Sequence, residues 1–354
     1  MNITFMIGNG FDVGIGMKSC FTDYFPQYCE AAEKSANETM KALAEEIKSD
    51  EKNWSYFERQ LGQYTSRFTK DTKGKLLEQL RDFEMGFVKY LTEQENNLEF
   101  TNTDEISKVM TQALTGFQRQ LHMASRAQID DLLKSKSTEK RVYHFISFNY
   151  TSVLEKCLQT ITGGILQTRK VGNTEYRDVI GEIVHPHGYV DECPIMGVND
   201  DSQIANKDIA QDPGIAKYLI KPETNKAQKM NFDFIAKSML NSSDILCIYG
   251  MSLGETDALW WKRVMTWLNS SSAHQLVVFT FDPSFSPASH IDWMQREDRI
   301  VDTFRQYIGP GMNMEQLRAR IHLAVHRNIF AIDLSKVGGV ISVPEYKRLL
   351  ESAG

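Results

Sequence analysis

At 354 residues the chain has the length of about two domains, or of one domain carrying a large insertion. Its hydrophobic fraction of 42% and charged fraction of 24% are those of an ordinary globular protein, and no stretch approaches the ~20 apolar residues of a membrane span. Forty basic against 46 acidic residues leave a net charge of −6 and no basic tail, which argues against nucleic acid held on a dedicated basic surface.

The five cysteines are scattered and never form C-x-x-C, so a reducing cytoplasm is the expected location and a zinc ribbon is not expected. An apolar run starts within three residues of Met1, so no signal peptide is expected. That run, residues 3–7, stops at Gly8-Asn9-Gly10, the profile of a buried strand entering a glycine turn. Glycines at 8 and 10 are expected to adopt angles closed to other residues and to let a ligand approach the main chain; Gly10→Val should then lose binding and keep the fold. Nucleotides bind beyond the carboxyl ends of strands in open α/β sheets, so residues 8–18 read as one wall of a nucleotide site. The alternative is a strand–loop turn without a ligand. The spacing departs from G-x-G-x-x-G, because the third glycine is Gly14 and position 13 holds Val13; no lysine stands in Walker A register.

Residues 21–50 are aromatic-rich and then made of strong helix formers. Trp54, Phe57, Leu61 and Tyr64 share one helical face, and 76–91 and 106–133 read as two more helices. This is far more chain than a strand crossover needs, so residues 21–139 are expected to form a helical insertion subdomain whose aromatics are mainly its own core. Residues 1–20 and 140–354 would form the nucleotide-binding domain. Its second strand, 142–148, runs into Asn149-Tyr150-Thr151 and a helix over 152–158. A loop or hairpin leads to a strand at 183–187 ending in His187-Gly188, and a short strand is expected at 195–198. A polar loop precedes helices near 214–219 and 226–240. The strand at 244–249 ends in Gly250-Met251-Ser252-Leu253-Gly254. Next come a helix over 255–268, a strand over 275–281 with Asp282 at its end, helices over 291–307 and 314–325, a strand over 328–332 and a terminal helix. Alternating strands and helices predict a doubly wound, mostly parallel α/β sheet.

Four strand ends thus carry polar or glycine residues: Gly8-Asn9-Gly10, Asn149, His187-Gly188, and Gly250 through Asp257. A parallel sheet brings them to one crevice. Ser252 and Thr256, near a helix start, are placed to help a phosphate meet backbone donors.

The stretches IGNGFDVGIGMKSCFTDYF, FISFNYTSVLEK, VHPHGYV with IMGVND, and IYGMSLGETD resemble the bacteriophage abortive-infection AbiH family, in order over residues 3 to about 290. The same order is similar, more distantly, to the Rossmann-like fold of sirtuin-like NAD-binding domains. There a G-A-G-x-S loop, a Q-N-x-D turn, an H-G pair and a G-T-S turn line the NAD pocket. Gly8-Asn9-Gly10-Phe11-Asp12, Phe148-Asn149-Tyr150-Thr151, His187-Gly188 and Gly250-Met251-Ser252 stand in those places. Asn9 replaces the alanine, Asp12 the loop serine, Phe148 the glutamine and Thr151 the turn aspartate, and the zinc cysteines are missing, which puts protein deacylation in doubt.

The resemblance implies an anti-phage effector that hydrolyses NAD at the nicotinamide–ribose bond, with Asn149 and His187 catalytic and no metal. Gly8, Asn9, Gly10, Phe11, Asp12, Gly188, Gly250, Ser252, Leu253 and Asp257 would bind the cofactor. A non-catalytic nucleotide-binding module and a toxin acting on another nucleotide or nucleic acid are the alternatives. A phage-derived trigger, a neighbouring gene product and a homo-oligomer stay open as partners. Residue by residue other roles compete. Asn149 can cap the following helix. His187 can be a turn histidine, and His185, on the same strand face by alternation, can take its role or pair with it on a metal, though no third ligand is evident. Asp257 can simply complement its helix's first turn. Trp260-Trp261 reads as core.

Overall fold

The computed structural model describes residues 1–281, 285–286, 288–325 and 328–334. Asp282 and the expected terminal helix lie outside them.

Strand β1 (Asn2–Ile7) is followed by the short helix α1 (Gly10–Gly14). A helical stretch follows: α2 (Phe21–Lys34), α3 (Glu38–Ser49), α4 (Glu51–Trp54), α5 (Phe57–Tyr64), α6 (Lys73–Asn96), α7 (Thr103–Gly116) and α8 (Met123–Ser135). The chain re-enters the sheet as β2 (Arg141–Ser147), leaves through α9 (Val153–Gln159), and forms the hairpin β3 (Ile165–Val171) and β4 (Thr174–Val184). Helices α10 (Lys207–Ala210), α11 (Pro213–Leu219), α12 (Lys221–Gln228) and α13 (Phe232–Asn241) lead to β5 (Ile245–Tyr249). Then come α14 (Ala258–Ser270), β6 (Gln275–Thr280), α15 (His290–Arg305), α16 (Met314–Arg318) and β7 (Ile321–Val325).

Among the described residues the strands form one seven-stranded sheet in the order β3-β4-β2-β1-β5-β6-β7. Every neighbouring pair is parallel except the β3–β4 hairpin at one edge. The α/β, mostly parallel architecture expected from the sequence is therefore present, and so is the almost wholly helical stretch after β1. The order reverses between β1 and β5, which is where such sheets leave a crevice.

Strand alternation divides the core. Ile3, Phe5, Ile7, Cys247, Tyr249 and Val277 face a cluster shared with the helices α2 to α7, through Tyr24, Phe83, Phe87 and Met110. Met6, Ile146, Leu246, Ile248 and Val278 face the other side, under α13, α14 and α15, through Leu240, Trp261 and Phe304. The apolar side chains of residues 21–135 thus run without a break into one face of the sheet, and helices cover both faces as parallel strands require.

Local departures have local causes. The expected helix over 106–133 is split by a 3-10 turn at Phe117–Gln120. The helix expected over 314–325 stops at Arg318, and Ile321–Val325 is the edge strand β7. Residues 328–332 are not a strand, and residues 195–198 contribute a single bridge, Val198 to Ile220.

Candidate functional site

The reversal point is drawn tight by backbone hydrogen bonds. Gly8 N–H donates to Tyr249 O, Gly10 N–H to Gly250 O and Phe11 N–H to Gly8 O, each at 2.9 Å. Neither Gly8 nor Gly10 has a positive φ, so the special backbone angles expected of them are not adopted. What they provide is lack of volume. A Cβ on Gly8 would lie 2.7 Å from Gly250 O, and one on Gly10 would lie 2.7 Å from Gly250 Cα. Gly250 itself is left-handed, at φ +70°. Phe11 turns into the core, its ring edge-on to Phe330 at 5.2 Å, rather than toward a ligand.

A cavity of about 410 Å³ opens beside this knot. Asn9, Ser19, Asn149 and Ser252 line it with amide and hydroxyl groups, and Phe21, Tyr56, Phe87 and Phe148 line it with rings. Asn9 Oδ1 accepts from Ser19 Oγ at 2.6 Å, which holds the two arms of the loop together.

Asp12 lies fully buried at the base of the cavity's polar side. Its Oδ1 accepts from Asn149 Nδ2 at 2.9 Å and its Oδ2 from Thr151 Oγ1 at 2.6 Å. Burial pushes its carboxyl up to about 7, the two hydrogen bonds pulling the other way. Asn149, 3% exposed, has no partner for its own Oδ1. It does not cap α9. Glu95 of α6 serves that helix end, accepting from Ser152 N–H at 2.7 Å, from Ser152 Oγ at 2.8 Å and from Lys156 Nζ at 2.6 Å.

His187 belongs to a second cluster. Lys221 Nζ donates to Glu58 Oε2 at 2.6 Å and to Asp257 Oδ1 at 3.2 Å, and His187 Nε2 stands 3.7 Å from the same Asp257 oxygen. Tyr150 joins it, its hydroxyl 3.0 Å from Glu58 Oε1 and 3.0 Å from Ile195 O. Burial and then the Lys221 charge push His187 down to about 3, so the ring is neutral. Burial alone would lower Lys221, but Asp257 and Glu58 outweigh it and hold the ammonium charged. The space beside His187, Lys221 and Asp257 is only about 10 Å³, room for about one water at most. His187 does not line the large cavity; it packs edge-on, at 5.2 Å, against Phe148, which does.

Strand alternation does not relate His185 to His187, because β4 ends at Val184, and the two rings have different partners. Its Nδ1 is 3.0 Å from Asn149 O and its Nε2 is 2.5 Å from Glu155 Oε1. Burial works to lower its pKa, and the Glu155 carboxylate, the Asn149 carbonyl and Asp12 together raise it by more. Gly188 turns the chain at φ +65°, where a Cβ would meet Cys193 O at 2.3 Å. Leu253 is buried with φ 56° in the loop after β5. Asp257 makes no cap on α14; it faces Lys221 and His187. Trp260 and Trp261 are buried, as expected, with Trp261 Nε1 donating to Gly254 O at 2.9 Å.

Sequence reading brought Asn9, Asp12, Asn149 and Ser252 to one place, and the structure has them around one cavity. It missed Glu58, Glu95 and Lys221, and it missed that Tyr56 and Phe87 of the helical stretch form a cavity wall. A buried lysine leaves no pattern in sequence, whereas an aromatic such as Phe87 is equally at home in a core.

No curated protein matches the chain. The profile of the family described as bacteriophage abortive infection AbiH matches residues 4–279. That span runs from β1 into β6 and contains the cavity and both polar clusters. The chain therefore belongs to the bacteriophage abortive infection AbiH family.

Proposed function

We propose that this AbiH chain serves abortive infection by binding a nucleotide, NAD in first place, in the cavity beside Asn149 and hydrolysing its nicotinamide–ribose bond. The observation that carries the reading is the unpartnered Asn149 Oδ1, held by Asp12 at the edge of a cavity where the sheet order reverses. Numbered among themselves, the parallel strands run 3-2-1-4-5-6, the order of Rossmann sheets, which supports a nucleotide and agrees with the distant sirtuin-like resemblance.

Cleavage of that bond passes through an oxocarbenium-like centre, so positioning and water exclusion do most of the work. Asn149 Oδ1 can accept a hydrogen from a water placed near the anomeric carbon. Asp12, with its carboxyl near 7, sits behind the amide and sets its orientation. His187 would need Phe148 to move before it could take a proton from a ribose hydroxyl. The closed state of its cluster is the observation that favours a second reading, a nucleotide-binding module without catalysis. Incubating the pure chain with NAD and following nicotinamide release separates the two: turnover lost in Asn149→Ala supports hydrolysis, and NAD binding without turnover supports the module.

A further inference from the structure

In dinucleotide-binding sheets the phosphates rest on free backbone N–H groups of a glycine loop and on the start of the helix that follows. Here the N–H groups of Gly8, Gly10 and Phe11 already donate to Tyr249 O, Gly250 O and Gly8 O. The helix that follows, α1, has only five residues, so few peptide dipoles add up at its start. The cavity supplies no substitute cation, since none of the described residues lining it is lysine, arginine or histidine. Its one carboxyl, Asp12, has the sign of a phosphate when ionised.

What the cavity does supply is aromatic rings together with neutral polar groups. Phe21, Tyr56, Phe87 and Phe148 suit the faces of a planar heterocycle. Asn9, Ser19 and Ser252 suit sugar hydroxyls. Asn149 donates one of its two amide hydrogens to Asp12, and its unpartnered Oδ1, buried at the cavity's edge, is an acceptor only.

We infer that the cavity takes the base–ribose end of its ligand and leaves any phosphates outside, so that a nucleoside is sufficient for recognition. This rests on the nucleotide reading above and narrows it. The test is calorimetric titration of the full chain with NAD, nicotinamide riboside, adenosine, ADP-ribose and inorganic pyrophosphate. At least one nucleoside should bind within about tenfold of NAD, a difference of roughly 1.4 kcal/mol. Pyrophosphate should not compete, and affinity should change less than about threefold between about 20 and about 300 mM salt, because no phosphate–cation contact is there to be screened. Tyr56→Ala, which alters a side chain 68% exposed, should weaken that nucleoside and NAD alike by about tenfold. NAD binding with pyrophosphate competing, or with both nucleosides inert, overturns this inference and leaves the nucleotide reading standing. If neither NAD nor either nucleoside binds, both fall.

Discussion

Two polar clusters lie side by side past the carboxyl ends of the strands, and they leave their polar atoms in different states. Around Lys221 an ammonium faces two carboxylates, a neutral histidine closes the group, and about 10 Å³ of space is left. Around Asp12 a carboxyl takes two neutral hydrogen bonds, an amide oxygen stays without a partner, and about 410 Å³ opens beside it. Burial of a polar group is costly unless it is matched; the Lys221 charge is answered by two carboxylates, while Asn149 Oδ1 stays unmatched beside the larger cavity. Depth alone does not distinguish the two; the unmatched atom beside open volume does.

The largest expected effect breaks the closed cluster. Lys221→Met leaves the Glu58 and Asp257 carboxylates without their cation, and removal of one partner from a buried ion group costs about 3–5 kcal/mol. Urea denaturation should show a loss of that size. A loss below about 1 kcal/mol would mean that water already screens the cluster, as at surface pairs.

Close behind is the pH dependence carried by Asp12. Its carboxyl is raised from 3.8 to about 7, so the folded state holds a proton that the unfolded state has released, and stability falls as pH rises through that window. A shift of this size is worth on the order of 4 kcal/mol. Asp12→Asn lacks the term, so its stability relative to the parent should improve between about pH 4 and about pH 7 and then level off. His187, pushed down to about 3, has the opposite sign and loses stability as pH falls below its unfolded value. It is present in both proteins and drops out of their difference. A flat difference would show that Asp12 titrates as an ordinary carboxylate.

Gly10→Val tests the knot between β1 and β5. The added Cβ would lie 2.7 Å from Gly250 Cα, which is backbone and cannot swing away. Overpacking of this kind costs about 1–3 kcal/mol, so the fold should weaken, contrary to the sequence expectation that only binding would suffer. A variant with the parent's urea midpoint and no nucleotide affinity would restore that expectation.

The smallest effect on stability should accompany the largest on function. Asn149→Ala removes one hydrogen bond to Asp12, a loss of about 1 kcal/mol that cavity water can partly offset. Protection against phage should nevertheless vanish. Protection that survives in Asn149→Ala would move the functional group elsewhere in the cavity.

Much of this architecture was legible in the chain because apolar runs ending in glycine or asparagine mark buried strands and their carboxyl ends together. β1, β2 and β5 all have that form. Residues 314–325 misled because Met314, Leu317 and Ile321 keep helical spacing while Ile321, Leu323 and Val325 keep strand alternation, and Ile321 fits both. His185 and His187 misled for a smaller reason: extending β4 by three residues past Val184 placed both rings on one face. Glu58 and Lys221 could not be found at all, being 163 positions apart, with no local pattern to announce an ion pair.

One long helix connects several of these features. Along α6, Phe87 and Leu91 line the cavity, and one turn further Glu95 receives the first amide of the segment leading into α9 and the Lys156 ammonium. From Phe87 to Glu95 is about 12 Å at 1.5 Å per residue, a stiff rod between the ligand wall and the chain that carries Asn149. Shifting that rod along its axis alters the width of the cavity and the anchoring of Ser152 in a single stroke. One helix of the helical layer therefore borders the cavity and anchors the chain that follows Asn149.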